Sequence, residues 1–242
     1  MKKETKERMV KTLNIIAKDR KRTNILKSSE QKLIAYLVQK IPMWINSDGL
    51  TAIGFVGNVV VASSIVMGAF INRYWLLLSL IGFAVNWFGD SLDGRIAYYR
   101  NRPRKWYGFS LDVTVDWVGT ILIGLAFMIY AQGAWKYLGF LFVVLYGWQM
   151  ITAQLRYKIS GQYSIDSGIF GPTEVRIILG AIITLEVFFP GSIYYLTTLA
   201  TAFLVYSNLV EAKKILTLAD QRDTEEKRIK EREIVNRQRE NA

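Results

Sequence analysis

The fold is decided by the stretch LTAIGFVGNVVVASSIVMGAFI, residues 50–71, which contains no charged side chain. A helix needs roughly 20 apolar residues to cross the hydrocarbon core of a bilayer. The chain is 242 residues long, with 51% hydrophobic and 21% charged residues, and the hydrophobic residues come in blocks like this one. The stretch therefore predicts a transmembrane helix, and it excludes an ordinary soluble domain.

Working outward from this block, five further apolar helices are predicted. Residues 177–210 carry only Glu186 and are too long for one crossing, but Pro190 and Gly191 divide them into about 177–189 and 192–210. The other three uncharged blocks are 74–89, which spans if its helix continues toward Tyr99, then 117–135 and 137–155. The fold class predicted is an all-α integral membrane protein with six transmembrane helices.

The positive charges predict the orientation of these helices. All but two of the 31 Lys and Arg residues lie in the N-terminal segment, in two of the connections, or near the C-terminus. These regions are 1–49, 95–105, 156–176 and 213–239, and the two exceptions are Arg73 and Lys136. By the positive-inside rule, both termini and both basic connections face the cytoplasm. We expect the inner or plasma membrane of a bacterium or archaeon, and no nucleic-acid partner.

Charged segments flank the apolar region on both sides. Apolar residues recur at helical spacing from Leu33 to Ile41, and more weakly from Met9 to Ile16, as in a helix that lies in the lipid headgroup layer. From Glu211 onward the chain alternates basic and acidic residues, which is typical of a solvated helix or a disordered tail. We predict a cytoplasmic amphipathic segment 1–45, a membrane domain 46–210 and a charged tail 211–242.

The chain contains no His and no Cys. This excludes disulfide scaffolds, thiolate zinc sites, cysteine nucleophiles and a histidine general base. Any catalysis must therefore use carboxylates, Lys, Tyr or hydroxyl groups.

Four aspartates lie at the predicted cytoplasmic ends of two consecutive helices. Asp90 and Asp93 are three residues apart, and Asp112 and Asp116 are four apart, so each pair shares one helical face. Adjacent antiparallel helices could bring all four together, where they would repel one another unless cations lay between them. Oxygen ligands suit Mg²⁺, Mn²⁺ or Ca²⁺, and a pair of such ions would bind a pyrophosphate. The alternative is that they are ordinary headgroup-level residues, where an aspartate costs little.

This region reads D-x2-D-G-x2-A-Y-x9-G-x3-D-x3-D over residues 90–116. It resembles the signature of the CDP-alcohol phosphotransferase family, D-x2-D-G-x2-A-R-x8 or 9-G-x3-D-x3-D, with seven of the eight fixed positions matched. Six transmembrane helices preceded by an amphipathic helix are also the family architecture. The resemblance implies an enzyme that transfers a substituted phosphate group from a CDP-linked donor, most often CDP-diacylglycerol, to an alcohol acceptor with release of CMP.

The resemblance also implies roles for individual residues. Asp90, Asp93 and Asp112 would hold divalent metals, Mg²⁺ or Mn²⁺ and two ions in number, and Asp116 would be the general base and a further metal ligand. The positions that would leave room for the CDP moiety are Gly94, Ala97 and Gly108. A homodimer is expected from the family likeness alone.

One position departs from the family pattern, since Tyr98 stands where the family has Arg. Arg95 and Arg100 are near enough in sequence to substitute for it, and Arg100 could also bind a phosphate or the acceptor. Arg156 and Arg176 end and begin apolar helices on the same side as the aspartates. They could bind a phosphate or the acceptor, or they could serve only as positive-inside anchors.

Two acidic residues outside the signature have alternative interpretations. Asp48 could contact the nucleotide, or it could cap the first transmembrane helix. Glu186 is predicted to pack or hydrogen-bond between helices, away from the chemistry.

Other functions remain open from the residues alone. CDP-choline- or CDP-ethanolamine-type transfer to diacylglycerol would use the same aspartates. Prenyl transfer also uses aspartate-bound Mg²⁺ on a pyrophosphate, but it expects other spacings and a larger bundle. A non-enzymatic ion-binding transporter would place its carboxylates near the membrane midplane, whereas Asp90–Asp116 lie at one face.

Overall fold

The computed structural model describes residues 27–160 and 171–240. Within them the chain forms seven α-helices and two short 3-10 turns. The helices are α1 Lys27–Val38, α2 Ser47–Phe70, α3 Leu78–Tyr99, α4 Lys105–Tyr130, α5 Tyr137–Ser160, α6 Pro172–Phe188 and α7 Ser192–Glu240, and the 3-10 turns are Arg73–Leu77 and Gly133–Lys136. The predicted all-α fold, with six helices after an additional first one, is confirmed. The apolar stripe predicted between Met9 and Ile16 lies outside the described residues.

Among the described residues, five helical segments are long and apolar enough to cross a membrane. They are Ser47–Phe70, Arg73–Tyr99, Lys105–Tyr130, Gly133–Ser160 and Ser192–Gln238. Helix α6 has 17 residues and spans about 25 Å at 1.5 Å per residue, slightly less than the hydrocarbon core. It packs between α3 and α7, so it completes the six-helix bundle that the sequence predicts.

Helix α1 packs on the bundle through the apolar stripe that the sequence predicts. The side chains of Ile34, Ala35 and Val38 are buried against Leu50 of α2 and the end of α3. The helix ends at Val38, so Ile41 lies beyond it. The stripe therefore contacts protein on its buried side, rather than only the headgroup layer.

Glycines set an unusually close approach between α2 and α3. A Cβ added at Gly89 would lie 2.3 Å from the amide nitrogen of Gly54 and 2.4 Å from the carbonyl oxygen of Leu50. The Asn86 side-chain amide donates to the Gly54 carbonyl at 3.0 Å and fixes the register of the two helices. Because Gly89 directly precedes Asp90, this contact determines where the first aspartate lies.

Glu186 joins three elements far from the aspartates. It accepts a hydrogen bond from the Tyr130 hydroxyl of α4 at 2.8 Å, and from the backbone amides of Gly191 and Ile193 at 3.0 and 2.9 Å. The last two bonds satisfy amide groups at the start of α7. The predicted interhelical hydrogen-bonding role is confirmed.

The charged C-terminal part continues α7 without a break through residue 211 to Glu240. It contacts the end of α5 twice. Glu211 pairs with Arg156, and Arg222 donates to the carbonyl of Lys158 at 3.0 Å. These contacts satisfy carbonyls and charge at the end of α5, as basic side chains commonly do at helix C-termini.

Candidate active site

Three of the four predicted aspartates converge between α3 and α4. Asp90, Asp112 and Asp116 each present a carboxylate oxygen, and these oxygens all lie within 4.8 Å of one another. All three side chains are half-buried. The convergence follows from the short connection between antiparallel helices and from the four-residue spacing of Asp112 and Asp116. We call these three residues the aspartate cluster.

Asp93 is placed differently from the other three. It is only 6% exposed, and its Oδ2 accepts a hydrogen bond from the Thr51 hydroxyl at 2.7 Å. Its backbone carbonyl accepts from the Ser47 hydroxyl at 2.9 Å, and its Oδ1 accepts from the Gly94 amide. Asp93 therefore anchors the end of α3 to the start of α2.

A first pocket opens beside the cluster at the end of the bundle where α3 ends and α4 begins. We call it the outer pocket. Its walls come from the start of α2, the end of α3, the connection to α4 and the end of α5, and they include Asp93, Gly94, Ala97, Tyr98, Gly108, Asp112 and Tyr157. A Cβ added at Gly108 would meet nothing within 4 Å, so the missing side chain widens this pocket. The three small residues predicted to leave room for a nucleotide thus share one pocket with two of the aspartates.

The rim of the outer pocket carries an ion pair between Asp48 and Arg104. Arg104 also lies over the ring of Tyr107, 4.3 Å from its centroid. The N-cap of α2 is Asn46, whose side chain accepts from the Gly49 amide at 2.7 Å. The interpretation of Asp48 as the helix cap is therefore wrong, because the residue two positions earlier already occupies that position.

A second pocket lies on the other side of the cluster, deeper in the bundle. We call it the inner pocket. Its polar lining residues come from α2 to α6, and they are Asn58, Asn86, Asp116, Thr120, Tyr146 and Arg176. Asp112 lines the outer pocket and Asp116 the inner one, so the aspartate cluster separates the two pockets.

Arg176 provides the positive charge next to the cluster. Its guanidinium donates to Asp90 Oδ2 at 2.5 Å and to Asn86 Oδ1 at 2.6 Å. Only 14% of the Arg176 side chain is exposed, so the pair with Asp90 is largely shielded from solvent. The arrangement places one guanidinium, three carboxylates and two amides around a half-buried space. Such a set is suited to a phosphate ester and metal ions together.

The comparison with known families now decides the identity. The sequence model for CDP-alcohol phosphatidyltransferase matches residues 44–209. The chain belongs to this family. A comparison with curated proteins gives no match. As a CDP-alcohol phosphatidyltransferase, the protein transfers a phosphate-linked group from a CDP-alcohol, and its match extends from just before α2 into α7.

Two of the arginines predicted as phosphate ligands lie elsewhere in this transferase. Arg100 donates to the carbonyls of Ile41 and Ile45, at 3.1 and 2.5 Å, and so ties the segment after α1 to the end of α3. Arg156 pairs with Glu211. Neither belongs to the described residues that line the outer or inner pocket. Of the three arginines proposed from sequence, Arg176 is the one placed beside the aspartates.

Sequence reasoning missed the polar residues that α2, α3 and α5 contribute. Asn58, Asn86 and Tyr146 all line the inner pocket. Thr51 was missed as the partner of Asp93. A signal was available for the two asparagines, because a lone amide inside an uncharged apolar helix needs a partner. Tyr146 gives no such signal, since tyrosine is common throughout this chain.

The donor set of the cluster fits a hard divalent cation. Carboxylate oxygens within 4.8 Å of one another can reach a shared ion with small side-chain movements, since Mg²⁺–O bonds are about 2.0–2.1 Å long. The cluster offers carboxylate oxygens, which favour a hard cation over a soft one.

Proposed function

We propose that this protein transfers a phosphatidyl group from CDP-diacylglycerol to the hydroxyl of an alcohol, releasing CMP. The single observation that carries the proposal is the aspartate cluster between two pockets, within a chain of this family. The outer pocket would hold the CDP moiety between Gly94, Ala97 and Gly108. The inner pocket would hold the acceptor hydroxyl beside Asp116.

Asp90, Asp93, Asp112 and Asp116 would hold two Mg²⁺ or Mn²⁺ ions. When bound, such ions neutralise the pyrophosphate and make the leaving group and the acceptor hydroxyl more reactive. Asp93 would keep its hydrogen bonds from Thr51 and from the Gly94 amide, and each of its carboxylate oxygens has a second lone pair for a cation at the outer pocket. Asp90 has a second carboxylate oxygen beside the one that pairs with Arg176, so both interactions are available to it.

Asp116 would accept the proton of the acceptor hydroxyl. It is the member of the cluster that lines the inner pocket, so it lies on the side opposite the departing CMP. With no histidine in the chain, an aspartate beside a cation is the residue suited to this step. Arg176 would hold a phosphate oxygen through its Nη1, while Nε and Nη2 keep the guanidinium on Asn86 and Asp90.

The basic connections support a cytoplasmic location for the site. The α3–α4 connection and the start of α4 carry Arg100, Arg102, Arg104 and Lys105, next to the outer pocket. By the positive-inside rule this face would be the cytoplasmic one. We further propose residues 46–210 as the catalytic unit, with cytoplasmic segments 1–45 and 211–242 on either side.

The test is a CMP-release assay with the full chain purified in detergent. Protein with Mg²⁺ or Mn²⁺ and CDP-diacylglycerol is given soluble and lipid alcohols in turn, and CMP is quantified. We expect CMP release with at least one alcohol and its loss when EDTA chelates the metal. If folded protein releases no CMP with any alcohol, the transferase proposal for this chain fails and ion binding without catalysis becomes the better account.

A further inference from the structure

The inner pocket borders a third cavity, to which the proposed function assigns no part of either substrate. We call it the apolar cavity. With the side chains as they stand its interior volume is about 70 Å³, and the cavity is partly open. The two spaces are adjacent, because they share four lining side chains, which are Phe83, Ile123, Phe142 and Leu179.

The lining of the apolar cavity excludes a polar ligand. No charged residue occurs among the described residues that line it, and they come from all six bundle helices. Its two hydroxyl side chains are Thr197 and Thr201, and each donates to a carbonyl of its own helix, at 2.5 and 2.7 Å. Their hydroxyl donors are therefore used within α7. A hydrophilic molecule would lose its water here without gaining new partners.

The apolar cavity lies on the membrane-interior side of Asp116. Ile123 is seven residues further along α4, and Phe127 is eleven residues further. At 1.5 Å per residue these positions are about 10 and 16 Å below the aspartate. A hydrocarbon chain that extended from the inner pocket into this cavity would thus lie at the level of the bilayer's hydrocarbon core.

The stereochemistry of phosphoryl transfer indicates which substrate points this way. The acceptor oxygen attacks the phosphorus that carries the lipid, and the bond from that phosphorus to the oxygen shared with CMP breaks. CMP leaves with the electron pair, and the acceptor proton passes to Asp116. The attacking and leaving oxygens are roughly in line, so the acceptor approaches from the side opposite CMP. The lipid already on the phosphorus projects sideways from this axis.

From this arrangement we infer that the acceptor is a lipid alcohol, whose hydroxyl lies beside Asp116 and whose hydrocarbon chain occupies the apolar cavity. The inference rests on the proposed function, because it assigns CMP to the outer pocket and the acceptor to the inner one. A small soluble alcohol would fill the inner pocket alone. The cavity below it would then contribute nothing to substrate choice.

Two alanines on α7 provide a matched pair for the test. Ala200 lines the apolar cavity, whereas Ala202 is exposed on the outer surface of the same helix. Ala200→Phe should fill the cavity, and Ala202→Phe adds the same ring where it meets lipid. With CDP-diacylglycerol fixed, wild type should release CMP faster with diacylglycerol or another long-chain alcohol than with glycerol phosphate, inositol phosphate or serine.

For Ala200→Phe, kcat/KM for the lipid alcohol should fall at least about tenfold, and for Ala202→Phe it should change less than about twofold. Leu204→Ala enlarges the same cavity and should shift the preferred acceptor toward bulkier chains. A misfolded variant would not gain activity with any acceptor, so this result would separate a cavity effect from a loss of fold. An equal response of soluble and lipid acceptors to Ala200→Phe overturns the inference. The inference is also overturned if the effect of Ala200→Phe varies with the length of the donor's acyl chains and not with the length of the acceptor's chain. CMP release with soluble alcohols alone leaves the transferase proposal standing and removes this one, whereas no release with any alcohol removes the transferase proposal itself.

Discussion

The outer pocket and the inner pocket differ in how their walls are distributed along the chain. The outer pocket is built mainly from residues 47–51 and 93–112, which the α3–α4 hairpin and the start of α2 bring together. The inner pocket takes its walls from five helices, α2 to α6. The first therefore depends on local helix geometry, and the second depends on how the whole bundle assembles.

This difference implies that substitutions can impair the function of one pocket and leave the other intact. Changes in the inner pocket should affect the acceptor and the transfer step while CDP binding survives. Changes in the outer pocket should do the reverse. A variant that lowers CDP affinity and the transfer rate equally would contradict this separation.

The largest expected effect follows Asp116→Asn, which replaces the inner-pocket carboxylate by an amide of the same shape. Transfer should fall by at least about 10²-fold, because a positioned general base contributes roughly 10²–10⁴-fold. CDP affinity, measured by titration in the presence of Mn²⁺, should change little, since Asp112 and Asp93 remain at the outer pocket. Retained turnover would exclude Asp116 as the base.

Arg176→Lys should have the next largest effect. Lysine keeps the charge but has a single nitrogen in place of the planar guanidinium, whose Nε and Nη2 donate separately to Asn86 and Asp90. We expect kcat/KM for the acceptor to fall roughly ten- to a hundredfold, with CDP affinity nearly unchanged. The measurement is CMP release at varied acceptor concentration.

Arg156→Lys is the matched control for this substitution. Arg156 is also an arginine near the end of a bundle helix, but it pairs with Glu211 and lies outside the described walls of both pockets. Its replacement should change kcat/KM less than about threefold, within the range typical of a partly exposed ion pair. If both variants lose activity equally, the effect of Arg176 comes from general positive charge rather than from its place in the inner pocket.

The same difference explains how far the sequence could predict this protein. The number of helices follows from the apolar blocks, and the break between α6 and α7 follows from Pro190 and Gly191, which are local signals. The helix ends follow less closely, since α4 begins at Lys105 and α7 continues to Glu240. The convergence of Asp90, Asp112 and Asp116 follows from helical spacing and a short connection. The number of helices and the convergence of the aspartates both depend on residues close together in the sequence, and such local features can be predicted from a single sequence.

Contacts between distant helices could not be predicted in this way. Arg176 meets Asp90 only because α6 packs beside α3, at a rotation set by side chains along both helices. The hydrogen bond from Thr51 to Asp93 likewise depends on the glycine contacts that bring α2 close to α3. The apolar cavity gives no local signal at all, because its lining residues are ordinary membrane-helix residues.

The smallest expected effect on transfer belongs to Gly108→Ala in the outer pocket. A Cβ here meets nothing within 4 Å, so the fold and the thermal unfolding midpoint should be unchanged. The added methyl group occupies space proposed for the nucleotide. CDP affinity should therefore fall by about five- to tenfold, the equivalent of a mild steric penalty. The maximal transfer rate at saturating donor should stay within about twofold, because the inner pocket is not altered.

Gly89→Ala is the informative comparison for Gly108→Ala, since it makes the same chemical change one helix earlier. Its Cβ would lie 2.3 Å from the Gly54 nitrogen, so α2 and α3 would have to separate. We expect the unfolding midpoint to drop, with a loss of about 1–3 kcal/mol in the free energy of unfolding. Unchanged CDP affinity in Gly108→Ala would mean that the nucleotide lies elsewhere. A lowered unfolding midpoint in Gly108→Ala would mean instead that Gly108 is needed for helix packing. Its place in the outer pocket would then no longer support that pocket as the donor site.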